Sequence, residues 1–394
     1  MSLPLALSEA LSDWLDLGLR WLHVIAAMAW IGTSFYFVLL DQSLRPAKDA
    51  DDREAGVGGE LWEVHGGGFY RVQKYVVAPP RLPEHLAWFK WEAYATWLSG
   101  FGLLLVLYYF EASSTLVKPG DGLEPWLAVA ISLGMLAAAW LAYDLLNRLV
   151  SDARILWPVL FGFVALSAWG SAELFAPRAA WLQVGSMIGT VMAANVFFDI
   201  IPAHWELIRA KEAGREPDAR PGIQAKQRSV HNNYLTLPVL LTMLAGHFPF
   251  AYGADHAWLV LVVLMAIGAW ARLFFNLRHQ GRTHWWMPVA GAAAFVALAL
   301  LVERGDDATS TPTAGVNVTV GKRVFASAGC GGCHALADAG ATGAVGPSLD
   351  AARPSVSLVA QRVRNGQGAM PAFAGKLTDD EIASVAAYVT EAGG

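Results

Sequence analysis

"WLHVIAAMAWIGTSFYFVLLD", residues 21–41, carries no charged side chain until Asp41 closes it. Crossing roughly 30 Å of hydrocarbon takes about 20 helical residues, so a run of this length and composition reads as a membrane span. Counting it, about eight such runs occur, and the expected spans are 17–40, 93–111, 125–147, 156–175, 181–205, 231–250, 257–277 and 285–302. The composition agrees: 55% of the 394 residues are hydrophobic and only 15% are charged, which a soluble globule of this length rarely shows. Tryptophans 14, 88, 91, 126, 157, 181, 258, 285 and 286 cluster at the ends of these runs, where an amphipathic ring meets the headgroups.

Charge sets the orientation. The first loop holds Arg45, Lys48, Arg53, Arg71, Lys74, Arg81 and Lys90, and the fifth holds Arg209, Lys211, Arg215, Arg220, Lys226 and Arg228. The third and seventh loops add Arg148, Arg154, Arg278 and Arg282, whereas the others offer little beyond Lys118 and Arg178. Positive loops stay inside, so both termini are expected outside. The first basic residue is Arg20, within the leading span, so that span is expected to direct insertion. A net charge of −5 without a dense basic block argues against nucleic acid as a partner, and membrane lipid is the surrounding medium.

After the last span, "ERGDDATSTPTAGVN" (303–317) is polar and aperiodic, the chemistry of a linker. The division is therefore a membrane domain at 1–302, a linker at 303–317 and a soluble domain at 318–394. In the tail of that domain Thr378 and Glu381 form a capping pair, and Ile382, Val385, Tyr388 and Val389 make one apolar stripe of a helix. Its sequence "GCGGCHALADAG" (329–340) contains both cysteines of the chain. Cys330-Gly-Gly-Cys333-His334 is the pattern for attaching one covalent haem c: two thiols add to the vinyl groups, and the next histidine reaches the iron. Zinc would need further ligands, and the chain has no third cysteine. Met370, in "GQGAMPAF", supplies the sixth ligand, which raises the potential relative to a second histidine. "GPSL" (346–349) resembles the proximal loop of class I cytochromes c, and Gly321, Phe325 and Tyr388 resemble the contact between their first and last helices. The fold class is thus all-α: a polytopic membrane helix bundle followed by a class I cytochrome c domain. Haem c is attached outside the bacterial inner membrane, so the cytochrome and the N-terminus are expected on the periplasmic side.

Within the bundle, polar residues mark candidate sites. Span five ends in "ANVFFDIIPAHWEL" with Asn195, Asp199, His204 and Glu206, and span six opens with "SVHNNYLTLP", adding His231, Asn232, Asn233 and Tyr234 at the same level. Amide and imidazole groups donate and accept in one plane, which suits a flat polar heterocycle. In the aromatic first loop, His65 precedes three glycines, and Lys90 with Glu92 places opposite charges at the mouth of span two. A turn and an interfacial anchor pair are the plainer readings of these two features. His23 lies near the outer end of span one and His247 near the outer end of span six, and their matched depth allows them to clamp a haem b between helices, although a satisfied core histidine is the default for either alone.

The stretches "WLHVIAAMAWIGTSFYFVLLD", "HGGGFYRVQKYVVAPPRLPEHLAWFKWEAYATWLSGF" (65–101) and "HNNYLTLPVL" (231–240) resemble the membrane-bound urate oxidase (urate hydroxylase) family, whose members join a multi-span domain to a C-terminal cytochrome c. The resemblance covers nearly the whole chain. It implies oxidation of urate to 5-hydroxyisourate with water as oxygen source, and transfer of electrons to a respiratory cytochrome oxidase or a soluble cytochrome c. An anionic purine needs a cation, amide-like partners and a base. On residue chemistry, Lys90 or Arg71 holds the charge, Asn232 and Asn233 bind the edges, His65 or His231 is the base, and Glu92 and Asp199 belong to the same site. Two other classes stay open: a quinol-handling or oxidase-associated electron-transfer subunit with the cytochrome as outlet, and a transporter or sensor with a tethered cytochrome.

Overall fold

The computed structural model describes residues 9–118, 121–309, 316–343, 345–366, 370–374 and 376–393. Each expected apolar run falls mainly in one helix, the run 231–250 only as far as Leu244: α1 (Glu9–Ser43), α2 (Trp91–Leu104, prolonged by a π turn at Leu105–Tyr109), α3 (Pro125–Leu149), α4 (Ala153–Leu174), α5 (Pro177–Glu212), α6 (Ala219–Leu244), α7 (Ala257–His279) and α8 (Trp286–Thr309). By length and composition α1, α3, α4, α5 and α7 suffice to cross a membrane. The other three differ from expectation for separate reasons. Helix α2 is short, α6 begins with twelve mostly polar residues ahead of its apolar half, and α8 is apolar only over Trp286–Val302. Helix α8 also continues to Thr309, into the expected linker, because a polar composition alone does not break a helix. Linker residues 310–315 lie outside the described residues.

The long first loop is not all-α. It carries an antiparallel hairpin, β1 (Val57–His65) and β2 (Gly68–Tyr75), turned at Gly66 and Gly67, whose φ angles of 58° and 81° place them in the left-handed region that glycine enters without cost. Side-chain ion pairs fix the hairpin to its surroundings: Arg71 to Asp52 and Glu60, and Lys74 to Asp41, which also binds Lys226 of α6 at 2.8 Å.

Helices α5, α6 and α7 form the centre of the bundle, with α4 packed against α5 and α7, α3 against α5, and α1 against α2, α6 and α7. Gly185 lets α5 and α6 approach: a Cβ there would overlap the side chain of Thr242. Pro202 gives α5 its irregularity. It has no N–H to return to the carbonyl four residues earlier, and the turn ahead of it opens into a π segment at Asn195–Ile200.

The C-terminal domain is built on α9 (Val318–Ser327), α10 (Val356–Asn365) and α11 (Asp379–Ala392). Helices α9 and α11 cross where Gly321 meets the backbone of Ser384, and Phe325 stands edge-on to Tyr388 at 5.8 Å. The expected apolar stripe of α11 is buried, and Thr378 with Glu381 closes a capping box. Helix α10 packs against the single turn Pro249–Tyr252, which lies between α6 and α7 at the end of the bundle remote from the basic loops.

Candidate functional site

Helices α3, α5, α6 and α7 bring one polar residue after another to the same depth, in the third of the bundle nearest the basic loops. The π segment turns Asn195 fully inward, where its Nδ2 donates to Tyr143 Oη at 3.1 Å and to Asn232 Oδ1 at 3.0 Å. Tyr143 Oη lies 2.7 Å from His231 Nδ1. Because that oxygen already accepts from Asn195, its proton is assigned to His231, which is then neutral with its own proton on Nε2. Asn232 in turn donates to the carbonyl of Met192 at 2.9 Å. Nearer the loops, Arg228 Nη2 meets Asp144 at 2.6 Å, Arg148 meets the other Asp144 oxygen at 2.7 Å, and Asp199 lies 3.9 Å from Arg228. A buried ion pair rarely gains net stability over an apolar core, so this density marks a site more readily than a scaffold.

On the far side of α6, Asn233 Oδ1 accepts from Arg272 Nε at 2.8 Å and from Asn276 Nδ2 at 3.1 Å. The Arg272 guanidinium lies 3.9 Å over the ring of Phe35 on α1. Helices α1, α3, α5 and α7 thus all supply α6 with polar partners. Beside His231 opens a cavity of about 140 Å³ between α3, α4, α5, α6 and α7, lined by Trp157, Leu160, Met187, Tyr234 and Met265, with Tyr143 and His231 among its few polar groups.

Of the expected site residues, the structure brings His231, Asn232, Asn233 and Asp199 together. It places the loop candidates elsewhere. His65 is exposed at the tip of the β1–β2 hairpin, where its chain turns, so it reaches none of these groups. Arg71 is engaged by Asp52 and Glu60 on that hairpin. Lys90 sits among indole rings, 4.8 Å from Trp88, 5.4 Å from Trp91 and 5.8 Å from Trp205, an interfacial anchor. Glu92 is on the first turn of α2 beside it, with one buried oxygen unpaired. Arg272, Asn276, Tyr143 and Phe35 were not among the expected residues. The available signal was an arginine inside an apolar run, "AWARLFFNLRH" (269–279).

The two histidines expected to clamp a haem b sit in different surroundings. His23 Nδ1 bonds the carbonyl of Thr96 at 2.9 Å and Ser99 Oγ at 3.2 Å, with its ring seated against Gly100 of α2. His247 is exposed in the turn after α6, and no hydrogen bond or ring contact joins the two among the described residues. The carbonyl bond at His23 Nδ1 orients the ring and leaves Nε2 free.

The C-terminal site does fit its group. His334 Nδ1 bonds the carbonyl of Pro347 at 2.9 Å, which leaves Nε2 free for a metal, and Gly346 lacks the Cβ that would overlap the imidazole. Cys333 is exposed, and Cys330 and Met370 border the same apolar cluster as Phe325 and Leu336. Residues 367–369 of the methionine loop lie outside the described residues. Gly366, at φ 70°, packs against the Met370 backbone where a side chain would collide.

Two family models match the chain. The family model "Urate oxidase N-terminal" matches residues 9–303, and "Cytochrome C oxidase, cbb3-type, subunit III" matches residues 316–389. Cytochrome c6 of Picosynechococcus sp. is 40% identical over 111 residues, covering 24% of this chain and 91% of that protein. Cytochrome c6 of Leptolyngbya boryana is 39% identical over 79 residues, covering 19% and 92%. Among solved structures, the c-type cytochrome SorU from Sinorhizobium meliloti is 43% identical, covers 19% of this chain and 90% of that chain, and has a TM-score of 0.19.

Proposed function

Because the chain belongs to the urate oxidase N-terminal family and ends in a cytochrome c domain, we propose that it is a membrane-bound urate oxidase whose electrons leave by way of that domain. The observation that carries this reading is the buried polar centre around His231, Asn232 and Asn233 inside the family-matched helices. The reaction is urate plus water to 5-hydroxyisourate, two electrons and two protons. Asn233 binds a purine edge, Asn232 holds Asn195 in place between the helices, and the Tyr143–His231 pair takes up a released proton: Tyr143 passes its hydroxyl proton to His231 Nδ1 and accepts one in exchange. Asp144 and Asp199, held by Arg228 and Arg148, line the way toward the basic loops for protons and substrate.

Cys330 and Cys333 would hold one haem c covalently, with His334 and Met370 as its protein ligands, and the group would supply one-electron redox chemistry when bound. The substrate site opens to the cytoplasm of a bacterium, the cytochrome domain lies on the periplasmic side of the inner membrane, and the acceptor is a respiratory cytochrome oxidase or a soluble cytochrome c. Turnover of purified protein in ¹⁸O-labelled water with an added cytochrome acceptor tests the reaction. Label in the product hydroxyl and no peroxide are expected; oxygen drawn from O₂ would contradict it.

One observation favours a second reading, in which the membrane domain handles a quinol. The cavity at Tyr143 and His231 is lined almost wholly by apolar side chains, which suit a lipid-phase ring better than an anion. Haem reduction by a quinol, with no response to urate, would establish that reading in place of the first.

A further inference from the structure

An anionic purine requires a cation, and the two loop candidates are committed elsewhere. Arg272, buried in the bundle, meets no carboxylate there among the described residues. It is 4% exposed and makes one side-chain hydrogen bond, through Nε. A buried guanidinium without a counter-ion is costly by several kcal/mol, a cost that a bound anion removes.

The atoms around it are determined by elimination. Arginine has no acceptor, so the Asn233 atom 2.8 Å from Arg272 Nε is the amide oxygen. That same oxygen is 3.1 Å from the Asn276 amide, which must therefore present its nitrogen. Three buried atoms are then without partners: Arg272 Nη2, Asn233 Nδ2 and Asn276 Oδ1. Two are donors and one is an acceptor. An imide edge, C=O, N–H, C=O, has the complementary set, and urate carries such an edge on its six-membered ring. Asn233 and Asn276 are buried, at 1% and 3% exposure.

Resting on the urate reading, we propose that Arg272, Asn233 and Asn276 form the subsite that takes the imide edge and the negative charge of the purine, with Phe35 of α1 fixing the guanidinium plane from below. Asn232 and His231 then face the neighbouring side of α6, and the proton-handling pair and the anion-binding group act from two faces of one helix. These are positioning residues for binding, distinct from the Tyr143–His231 pair.

The test uses the full-length protein in detergent with its haem c chemically reduced, so that urate binds without turnover, and measures the dissociation constant of urate by equilibrium dialysis. Arg272→Gln removes the charge and is expected to weaken binding ~10- to 100-fold, the range of a charged hydrogen bond. Asn276→Asp keeps the size of the side chain but puts an acceptor and a negative charge where a donor met Asn233 Oδ1, so it is expected to abolish urate binding in protein that still carries haem c; a merely structural asparagine predicts no loss of affinity. Unchanged affinity in Asn276→Asp, with wild-type binding intact, overturns the subsite and leaves the urate reading standing. Failure of the wild type both to bind urate and to be reduced by it overturns the two together.

Discussion

At the scale of single residues, His231 and His65 give opposite expectations. His231 is 2% exposed and tied to Tyr143, whereas His65 sits in solvent at a hairpin turn. General base work contributes about 10²–10⁴-fold. His231→Ala is therefore expected to lower urate turnover at least ~100-fold with the covalent haem spectrum unchanged, and His65→Ala to stay within about twofold; steady-state assays of both variants check this. The cytochrome domain makes a second residue-scale prediction. Asp338 is held below the usual aspartate value of 3.8, chiefly by Lys322 and then by Tyr388, while burial and then Asp338 push Tyr388 above the usual tyrosine value of 10.0. A depressed carboxyl contributes stability that is complete above 3.8 and lost as pH falls through its lowered value. A tyrosine raised in the fold contributes below 10.0 and ceases to contribute as pH rises through its raised value. Melting of the cytochrome domain, followed in its haem absorbance, should be flat between these limits and fall outside them. Tyr388→Phe should remove the tyrosine's share of the alkaline fall.

At the scale of elements, two glycines decide two helix crossings. A side chain at Gly185 would overlap Thr242 between α5 and α6, and one at Gly321 would overlap the Ser384 backbone between α9 and α11. Gly185→Val should destabilise the bundle by about 1–3 kcal/mol, the usual cost of overpacking, and displace Asn195 from Asn232. Gly321→Val should prevent the cytochrome domain from holding haem while membrane insertion continues, because the obstacle is rigid backbone. Thermal melts and haem stoichiometry separate the two effects. The elements also show what a sequence makes legible. The Cys330–His334 motif is local, with spacing imposed by the porphyrin, and the Thr378 cap is local, so both are readable in one dimension. His231, Asn232, Asn233 and Asp199 stand out because polar groups at a membrane boundary are expensive. Arg272 does not stand out in the same way. Its meaning depends on Asn233, 39 positions away on another helix, and on Phe35 from the first. The charges assigned from sequence, Lys90 and Arg71, are loop residues whose engagement with indoles and carboxylates is likewise set by tertiary contact.

At the scale of the molecule, the polar centre and the cytochrome domain are at opposite ends of the same helices. The path along α6 from Asn233 to Leu244 is about 17 Å at the helical rise, short of the full hydrocarbon thickness, because the π segment and the long polar lead of α6 let the site sit within the bundle. Helix α10 resting on the turn Pro249–Tyr252 holds the electron outlet against that remote end. On the proposed reading, substrate enters among the basic loops and electrons leave at the opposite end. Anaerobic addition of urate to the fully oxidised protein, with haem c absorbance recorded, tests this arrangement most directly. The account predicts that urate reduces haem c, two haems per urate oxidised, with no oxygen present. A haem that stays ferric with excess urate, in protein whose haem c is reducible by dithionite, would contradict it.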